Sequence, residues 1–484
     1  MKYKISMDNP SAQIFHVELS CSGFEEDTLI LSMPAWMPGY YQIMNYAEKV
    51  ENVSVISKGK NALPVTKKDI DSWQVVSSGK PFIFSYDVKA DRRFVANSFL
   101  DTTHAYIVPA AAFMFAEGMM DTPVSVTVDA GEKWENITTG LNKVPGKTNE
   151  FTAPDFDILY DCPILIGNLQ ELPSFEVKGI LHRFIGYNMG DFDGQALMSA
   201  LKKIVEASVE IFGEVPYSDY TFIGIGLGAG GIEHLNNSTV SFNGNRMKDA
   251  QGMTGVLKFL AHEYFHNFNV KRIRPFELGP FDYSSENRTN LLWVSEGLTV
   301  YYEYLVMKRA GLLTDEEFYA SLAGNISAYE NDPGKLYQSL TQASFNTWSD
   351  GPFGSRDPEN DRSISPYDKG AVAGLILDLS IRHSTGNSGS IDDVMRLLYR
   401  KYYRELERGF TDAEFRQACE DVAGCSLANE FEYVQTTKEI DYGLYLSYAG
   451  LEMDVQAGND GRKNFTIKEK EAGDQNRSNS IEKW

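Results

Sequence analysis

The hydrophobic residues of this chain change period partway along its length, and that change limits the fold more than any other feature. Up to about residue 170, short runs rich in Val, Ile, Phe and Tyr alternate with polar residues, as in "FHVELS", "LILSMPAW", "PFIFSYDVKA" and "VSVTVDAG". Gly, Pro, Asn and Asp separate the runs. A period of two puts one face of a strand in a core and the other in water. Residues 1–170 are therefore expected to form an all-β sandwich domain. After "ELPSFEVKGILHRFIGYNMG" the period lengthens. In "GQALMSALKKIVEASVEIFG", Leu197, Leu201, Ile204, Val205 and Val209 recur mostly at three- and four-residue spacings, as in an amphipathic helix. Further helical patterns cover about 249–270, 291–310, 315–330, 366–384, 390–405 and 411–421. The fold class is multidomain α+β, with a mixed and then mostly helical domain over 171–440.

The stretch "AGNDGRKNFTIKEKEAGDQNRSNSIEKW" supplies only Phe465, Ile467, Ile481 and Trp484 as large apolar residues, too few for a core of its own. Residues 441–484 are expected to be a tail, a linker or a domain fragment. The chain has 484 residues, 43% of them hydrophobic, enough for two or three domains. It contains no run approaching the roughly 20 apolar residues of a membrane helix, so no membrane-spanning segment is expected. The start, "MKYKISMDNPSAQIFHVEL", goes directly into strand-like alternation without the apolar core of a signal peptide. That is consistent with a cytoplasmic protein if this start is native, and with a periplasmic or extracytoplasmic one if a signal was removed.

Charge removes one class of partner. Lys and Arg number 45 against 67 Asp and Glu, a net charge of −22, which repels a phosphate backbone and argues against nucleic acid. Cys21, Cys162, Cys419 and Cys425 are too few and too scattered for a disulfide framework or a thiolate metal cluster.

The chemistry begins at "AHEYFHNFNV". On a helix, residues four apart share a face, so His262 and His266 can point at one ion with Glu263 beside them. Zinc lowers the pKa of a bound water to about 7, and an adjacent carboxylate can accept the released proton. The surrounding "VLKFLAHEYFHNFNV" is apolar nearly all round, which indicates a buried helix, and buried histidines require partners. A catalytic zinc needs a third protein ligand. "LLWVSEGLTVYYEYLVMKRAG" offers two candidates, Glu296 and, two turns along the same helix, Glu303. Spacing does not separate them, and His234 ranks behind both.

At this point the sequence resembles a known family. "HEYFHNFNVKRIRP" followed by "WVSEGLTVYYE" is similar to the glycyl aminopeptidases, zinc metallopeptidases related to aminopeptidase N among the gluzincins. "MPAWMPGYY", "GGIEHLNNST" and "SPYDKGAVAGLILDLSIR" extend the resemblance, in the family's order, over most of residues 30–385. The resemblance implies a thermolysin-like catalytic domain, one zinc ion held by His262, His266 and Glu296, and Glu263 as general base. It selects Glu296 because the sequence at 296–299 matches the family's ligand helix. The 29 residues between His266 and Glu296 exceed the gap in aminopeptidase N and resemble the glycyl branch. The family often carries a C-terminal PDZ module, and "LSYAGLEMDV" resembles the lead-in to one, so 441–484 is also read as a partial PDZ-like segment.

"GLGAGG" at 226–231 satisfies a dinucleotide-loop pattern, but "IEHLNNSTVSFNG" after it is polar and β-branched and cannot supply a helix N-terminus for a pyrophosphate. In a peptidase, Gly230 and Gly231 let a substrate backbone lie against an edge strand. "GGIEH" looks like the family's exopeptidase motif, which implies that Glu233 binds the substrate's free α-amine. An ammonium facing a buried carboxylate makes a charge-assisted hydrogen bond that an internal peptide bond cannot supply. His234 stands where aminopeptidase N commonly has asparagine. In "SPYDKGAVAGLIL", Ser365 is the expected N-cap and Pro366 the first helical residue, with Val372, Leu375, Ile376 and Leu379 as the apolar stripe. Tyr367 then lies in the first turn and matches the family's catalytic tyrosine, an oxyanion donor. Lys271, Arg272 and Arg274 are expected to form ordinary salt bridges.

The expected function is a zinc aminopeptidase acting on peptides with a free N-terminus. The preference for small residues, Gly or Ala, is implied by the family alone. The alternatives are a zinc endopeptidase with the same chemistry, or a peptide-binding protein that keeps the fold without turnover. The oligomeric state stays open.

Overall fold

The alternating runs pair as their period predicts. In the strand Ile14–Cys21 the buried residues are Phe15, Val17, Leu19 and Cys21. Opposite them, across the antiparallel ladder, lie Val88, Tyr86, Phe84 and Phe82 of the strand Phe82–Lys89, so both strands present large apolar side chains to one face. The computed structural model describes residues 1–470 apart from 132, 135, 354–361 and 459–460. The chain forms two compact units. The first comprises residues 1–198, 217–248 and 282–286, and the second 199–216, 249–281 and 287–484.

The first unit contains the β domain. Its seven-stranded sheet runs, in spatial order, 142–143, 150–153, 124–129, 2–6, 14–21, 82–89 and 50–57. Lys2–Ser6 pairs in parallel with Val124–Asp129, a contact between distant parts of the chain. Two four-stranded sheets complete the β domain. Tyr3, Phe15, Trp36, Tyr86, Tyr106 and Tyr160 are fully buried in this unit. The Tyr86 and Tyr160 hydroxyls donate to the carbonyls of Ala112 and Phe113, so burying these phenols leaves no donor unmet.

A six-stranded sheet in the same unit carries Glu233. Ile180–Gly186, Asp219–Gly224 and Asn237–Val240 run parallel, and Gly231–Glu233 adds antiparallel at the edge beside Asn237–Val240. All four residues of Asn237–Val240 are buried, as expected for an inner parallel strand rather than an alternating one. "GLGAGG" leads into this edge strand and not into a helix, so the nucleotide-loop reading fails on geometry as well.

The second unit is built round the helix Pro366–Ser384, buried at every position from Lys369 to Arg382. A helix buried all round is a central one. The π-helical turn Trp293–Gly297, its continuation Leu298–Arg309, and the helices Asp315–Glu330 and Leu340–Asp350 all pack on it. Inside this core Asp378 pairs with Arg382 at 3.0 Å and accepts from Tyr301 Oη and the Ile391 amide, so the buried charges are fully engaged.

Several elements depart from the sequence reading. The helix expected over 249–270 is Ala250–Phe265, and the segment expected over 390–405 divides into an α-helix, Ile391–Leu398, and a π-helix, Tyr399–Glu405. Leu340–Asp350, Ala428–Gln435 and Tyr442–Tyr448 are helices that the periodicity did not mark. Leu451–Ala457 and Lys463–Glu469 form a hairpin that packs on Asp315–Glu330, with Ile467 and Leu451 buried. Ile481 and Trp484 lie outside the described residues.

Candidate metal centre and active site

The helix Ala250–Phe265 starts at Asp249, whose carboxylate accepts from the Gly252 amide. It carries His262 and Glu263 in its last turn and ends with His266 as its C-cap. His266 and Glu296 are buried, and His262 is nearly so. Glu296 comes from the π-helical turn Trp293–Gly297, an extra-wide turn of the kind that recurs at functional sites.

Among the described residues, His262, His266 and Glu296 are the group of three whose metal-binding atoms converge, all within 4.8 Å of one another. The Nε2 atoms of the two histidines are 2.9 Å apart, and Glu296 Oε2 is 3.2 Å from His266 Nε2 and 3.6 Å from His262 Nε2. Zinc bonds of about 2.0–2.1 Å in tetrahedral array separate ligand atoms by roughly 3.3 Å, so this triangle has the size a zinc ion requires. The charge fits as well. Glu263, Glu296 and Glu303 place three carboxylates around two imidazoles, an excess that a dication neutralises.

The far side of each imidazole is occupied. His262 Nδ1 lies 3.0 Å from Glu303 Oε2, and His266 Nδ1 lies 2.7 Å from the Asn269 carbonyl. Both Nε2 atoms are thereby directed inward. Glu303 thus meets the outer nitrogen of His262, opposite the converging Nε2 atoms. Burial opposes charge on His262, but its hydrogen bonds with Glu296 and Glu303 outweigh that and hold its pKa well above the ordinary imidazole value. Burial likewise opposes charge on Glu296, and the two histidines outweigh it, holding the carboxyl well below its usual range.

Sequence reasoning missed two supporting residues. The Asn269 side-chain amide donates to the carbonyls of Val294 and Ser295, at 2.8 and 3.3 Å, while its own backbone carbonyl holds His266. Thr299 donates to the Ser295 carbonyl at 2.7 Å. Together they clamp the π turn that presents Glu296. The only available signal was an asparagine three residues after the second histidine.

Tyr367 lies where the cap chemistry puts it. Ser365 Oγ accepts from the amides of Tyr367 and Asp368, Pro366 opens the helix, and the half-buried Tyr367 ring lies 6.3 Å from the His262 ring, inclined by 23°. The two helices approach closely because Gly297 and Gly370 meet backbone to backbone, where a Cβ on either would collide with the other. The glycines of "SEGL" and "YDKG" thus explain each other. Arg272 is buried, and its guanidinium donates to the carbonyls of Asn267 and Pro216 at 2.6 and 2.9 Å.

In the first unit, Glu233 ends the edge strand, paired through its backbone with Ser238. It is 4% exposed, and its carboxylate makes no side-chain hydrogen bond or ion pair among the described residues. Burying a carboxylate without a partner is costly. His234 is buried beside it with Nδ1 3.4 Å from Asp161, which also accepts from the Leu235 amide. Gly230, with φ of +85°, precedes the strand, and Gly231 is its first residue.

Comparison with known proteins agrees with this chemistry. The Peptidase M61 N-terminal domain family matches residues 2–168, and the M61 glycyl aminopeptidase family matches residues 255–373, a span holding His262, Glu263, His266, Glu296 and Tyr367 but not Glu233. An aminopeptidase N family protein from Idiomarina loihiensis superimposes with a TM-score of 0.88 at 25% identity, over 94% of this chain and 79% of that one. The M1 zinc metallopeptidase of Deinococcus radiodurans shares the fold, with a TM-score of 0.53 at 13% identity over 91% of this chain and 94% of that one. No curated protein matches in sequence.

Proposed function

The chain belongs to the glycyl aminopeptidase family and is a metallo-aminopeptidase, and we propose that it removes small residues, Gly or Ala, from peptides with a free N-terminus using one zinc ion. His262, His266 and Glu296 hold the ion. A zinc ion bound there would acidify a water and polarise the scissile carbonyl. Glu263 takes the proton from the attacking water and passes it to the leaving amine. Tyr367 donates to the developing oxyanion from the first turn of its helix, where the helix dipole also favours negative charge. Glu233 pairs with the substrate's α-ammonium, and the edge strand Gly231–Glu233 offers backbone groups to the extended peptide.

The observation that carries the exopeptidase reading is the buried Glu233 carboxylate, which has no side-chain partner among the described residues. A free ammonium satisfies it, whereas an internal peptide bond leaves it charged and unmet. The test compares glycyl and alanyl arylamides with their N-acetylated counterparts, and with leucyl arylamide for size. The free-amine substrates should be cleaved faster by about a hundredfold or more, the cost of stranding a buried charge. Equal rates on N-acetylated substrates would remove the exopeptidase reading, and equal rates on the leucyl substrate would remove the size preference.

A further inference from the structure

"MPAWMPGYY" belongs to the β domain and contributes none of the site residues placed so far. Its centre is a tight turn in which the Tyr40 amide donates to the Met37 carbonyl, with Pro38 and Gly39 as the middle residues. Gly39 has φ of +89°. Proline then glycine with positive φ is the sequence of a type II turn. The turn is held firmly, since Trp36 and Met37 are fully buried and Trp36 Nε1 donates to the Asp282 carbonyl.

What Gly39 faces is more informative than its dihedral. A Cβ built on it would lie 2.9 Å from Glu233 Oε2, 3.2 Å from Glu233 Cδ and 2.9 Å from Ile232 Cγ2. Ile232 is 1% exposed and its strand is fixed by the ladder to Asn237–Val240, so the strand has nowhere to retreat. The end of the glutamate side chain is the part free to move. Elsewhere in the same unit, Gly23 has φ of +85° with nothing within 4 Å, so conformation alone accounts for glycine there. At Gly39 conformation and close approach coincide.

We propose that Gly39 is a positioning residue for amine recognition: its bare backbone is the surface against which the Glu233 carboxylate is seated. The inference rests on the reading of Glu233 as the amine-binding group. It gives the β domain a direct part in choosing substrates, because a side chain at the tip of its turn would push the carboxylate off its place.

The test is kinetic, on the full chain with glycyl arylamide as substrate. Gly39→Ala should lower kcat/KM by about tenfold or more, chiefly through KM, with metal content unchanged. Gly23→Ala carries the same backbone strain without the collision and should stay within about twofold of the parent. In a Glu233→Gln background, adding Gly39→Ala should cost no more than about a further twofold, since residues acting through one group are not additive. A parental KM in Gly39→Ala, or a loss that adds in full to that of Glu233→Gln, overturns the inference. A Glu233→Gln variant with the parental KM overturns the reading of Glu233 and the inference with it, a pattern distinct from the first. Should Gly39→Ala not fold, Pro38→Ala loosens the turn without adding an atom at Gly39. It should raise KM by about two- to fivefold, and an unchanged KM counts against the proposal.

Discussion

Glu303 gives the sharpest test of the metal centre, because the sequence leaves it as a possible ligand and the structure gives it another role. Its Oε2 lies 3.0 Å from His262 Nδ1, with both side chains 12% exposed, so the bond is nearly dry and weakly screened. A partner of this kind fixes the ring's orientation and raises its basicity, and losing one typically weakens metal binding about 10- to 100-fold, or roughly 1.4–2.8 kcal/mol. Glu303→Gln keeps an oxygen that can accept from Nδ1 but removes the charge, so it belongs near the tenfold end. Glu303→Ala removes the partner altogether and belongs near a hundredfold. The assay is zinc affinity by competition with a chromogenic chelator, with thermal unfolding at fixed zinc as a check. The zinc-dependent part of stability should shrink by about 1.4 kcal/mol for each tenfold loss. Glu296→Ala sets the scale for a lost ligand. The reasoning fails if Glu303→Ala binds zinc as the parent does, which would leave the ring held by other means. It fails equally if Glu303→Ala loses as much as Glu296→Ala, which would make Glu303 a ligand.

Three other outcomes follow from named contacts. Glu263→Gln should retain zinc while kcat falls by about 10²–10⁴, the usual contribution of a positioned general base, and full activity in this variant would remove the proposed proton transfer. Asp378→Ala removes the carboxylate paired with the buried Arg382 and the acceptor of Tyr301 and Ile391, and should cost about 3–5 kcal/mol in denaturant unfolding; a loss below about 1 kcal/mol would show the network to be incidental. Burial lowers both His104 and His182 to about 4 from an ordinary 6.5, Asp101 opposing at His104 and the Ile180 carbonyl at His182. Between those pH values the unfolded chain binds protons that the native one refuses, so stability is lost as pH falls from 6.5 towards 4 and levels off below that. The full loss is about 3 kcal/mol for each group, and a His182→Gln variant with an unchanged pH slope between pH 7 and 4.5 would contradict it.

Elements whose information is local were legible in advance. The helix Asp315–Glu330 has Thr314 and Glu317 in a reciprocal capping box, and Pro366–Ser384 has its serine cap and leading proline, local signals that fix where each helix starts. The β domain was legible as a class because alternation reports which side of a strand is buried. Its topology was not, since nothing local pairs Lys2–Ser6 with Val124–Asp129. The eight-residue helix Ala428–Gln435 was missed because it is short, and what holds it is packing on the central helix.

At the site the division is the same. Spacing alone brought His262 and His266 onto one face with Glu263 alongside, since four residues make a helical turn whatever surrounds them. Choosing between Glu296 and Glu303 needed either family resemblance or coordinates. The π turn that aims Glu296 inward is held by Asn269 and Thr299, and which nitrogen of His262 meets which carboxylate depends on how two helices cross. The seating of Glu233 against Gly39 joins stretches far apart in sequence. What the sequence by itself determined was the chemistry available on each element, because side-chain type and local period are properties of short segments. What only the tertiary structure decided was which groups meet and which face is turned away, because those depend on close approach between segments that no local pattern records.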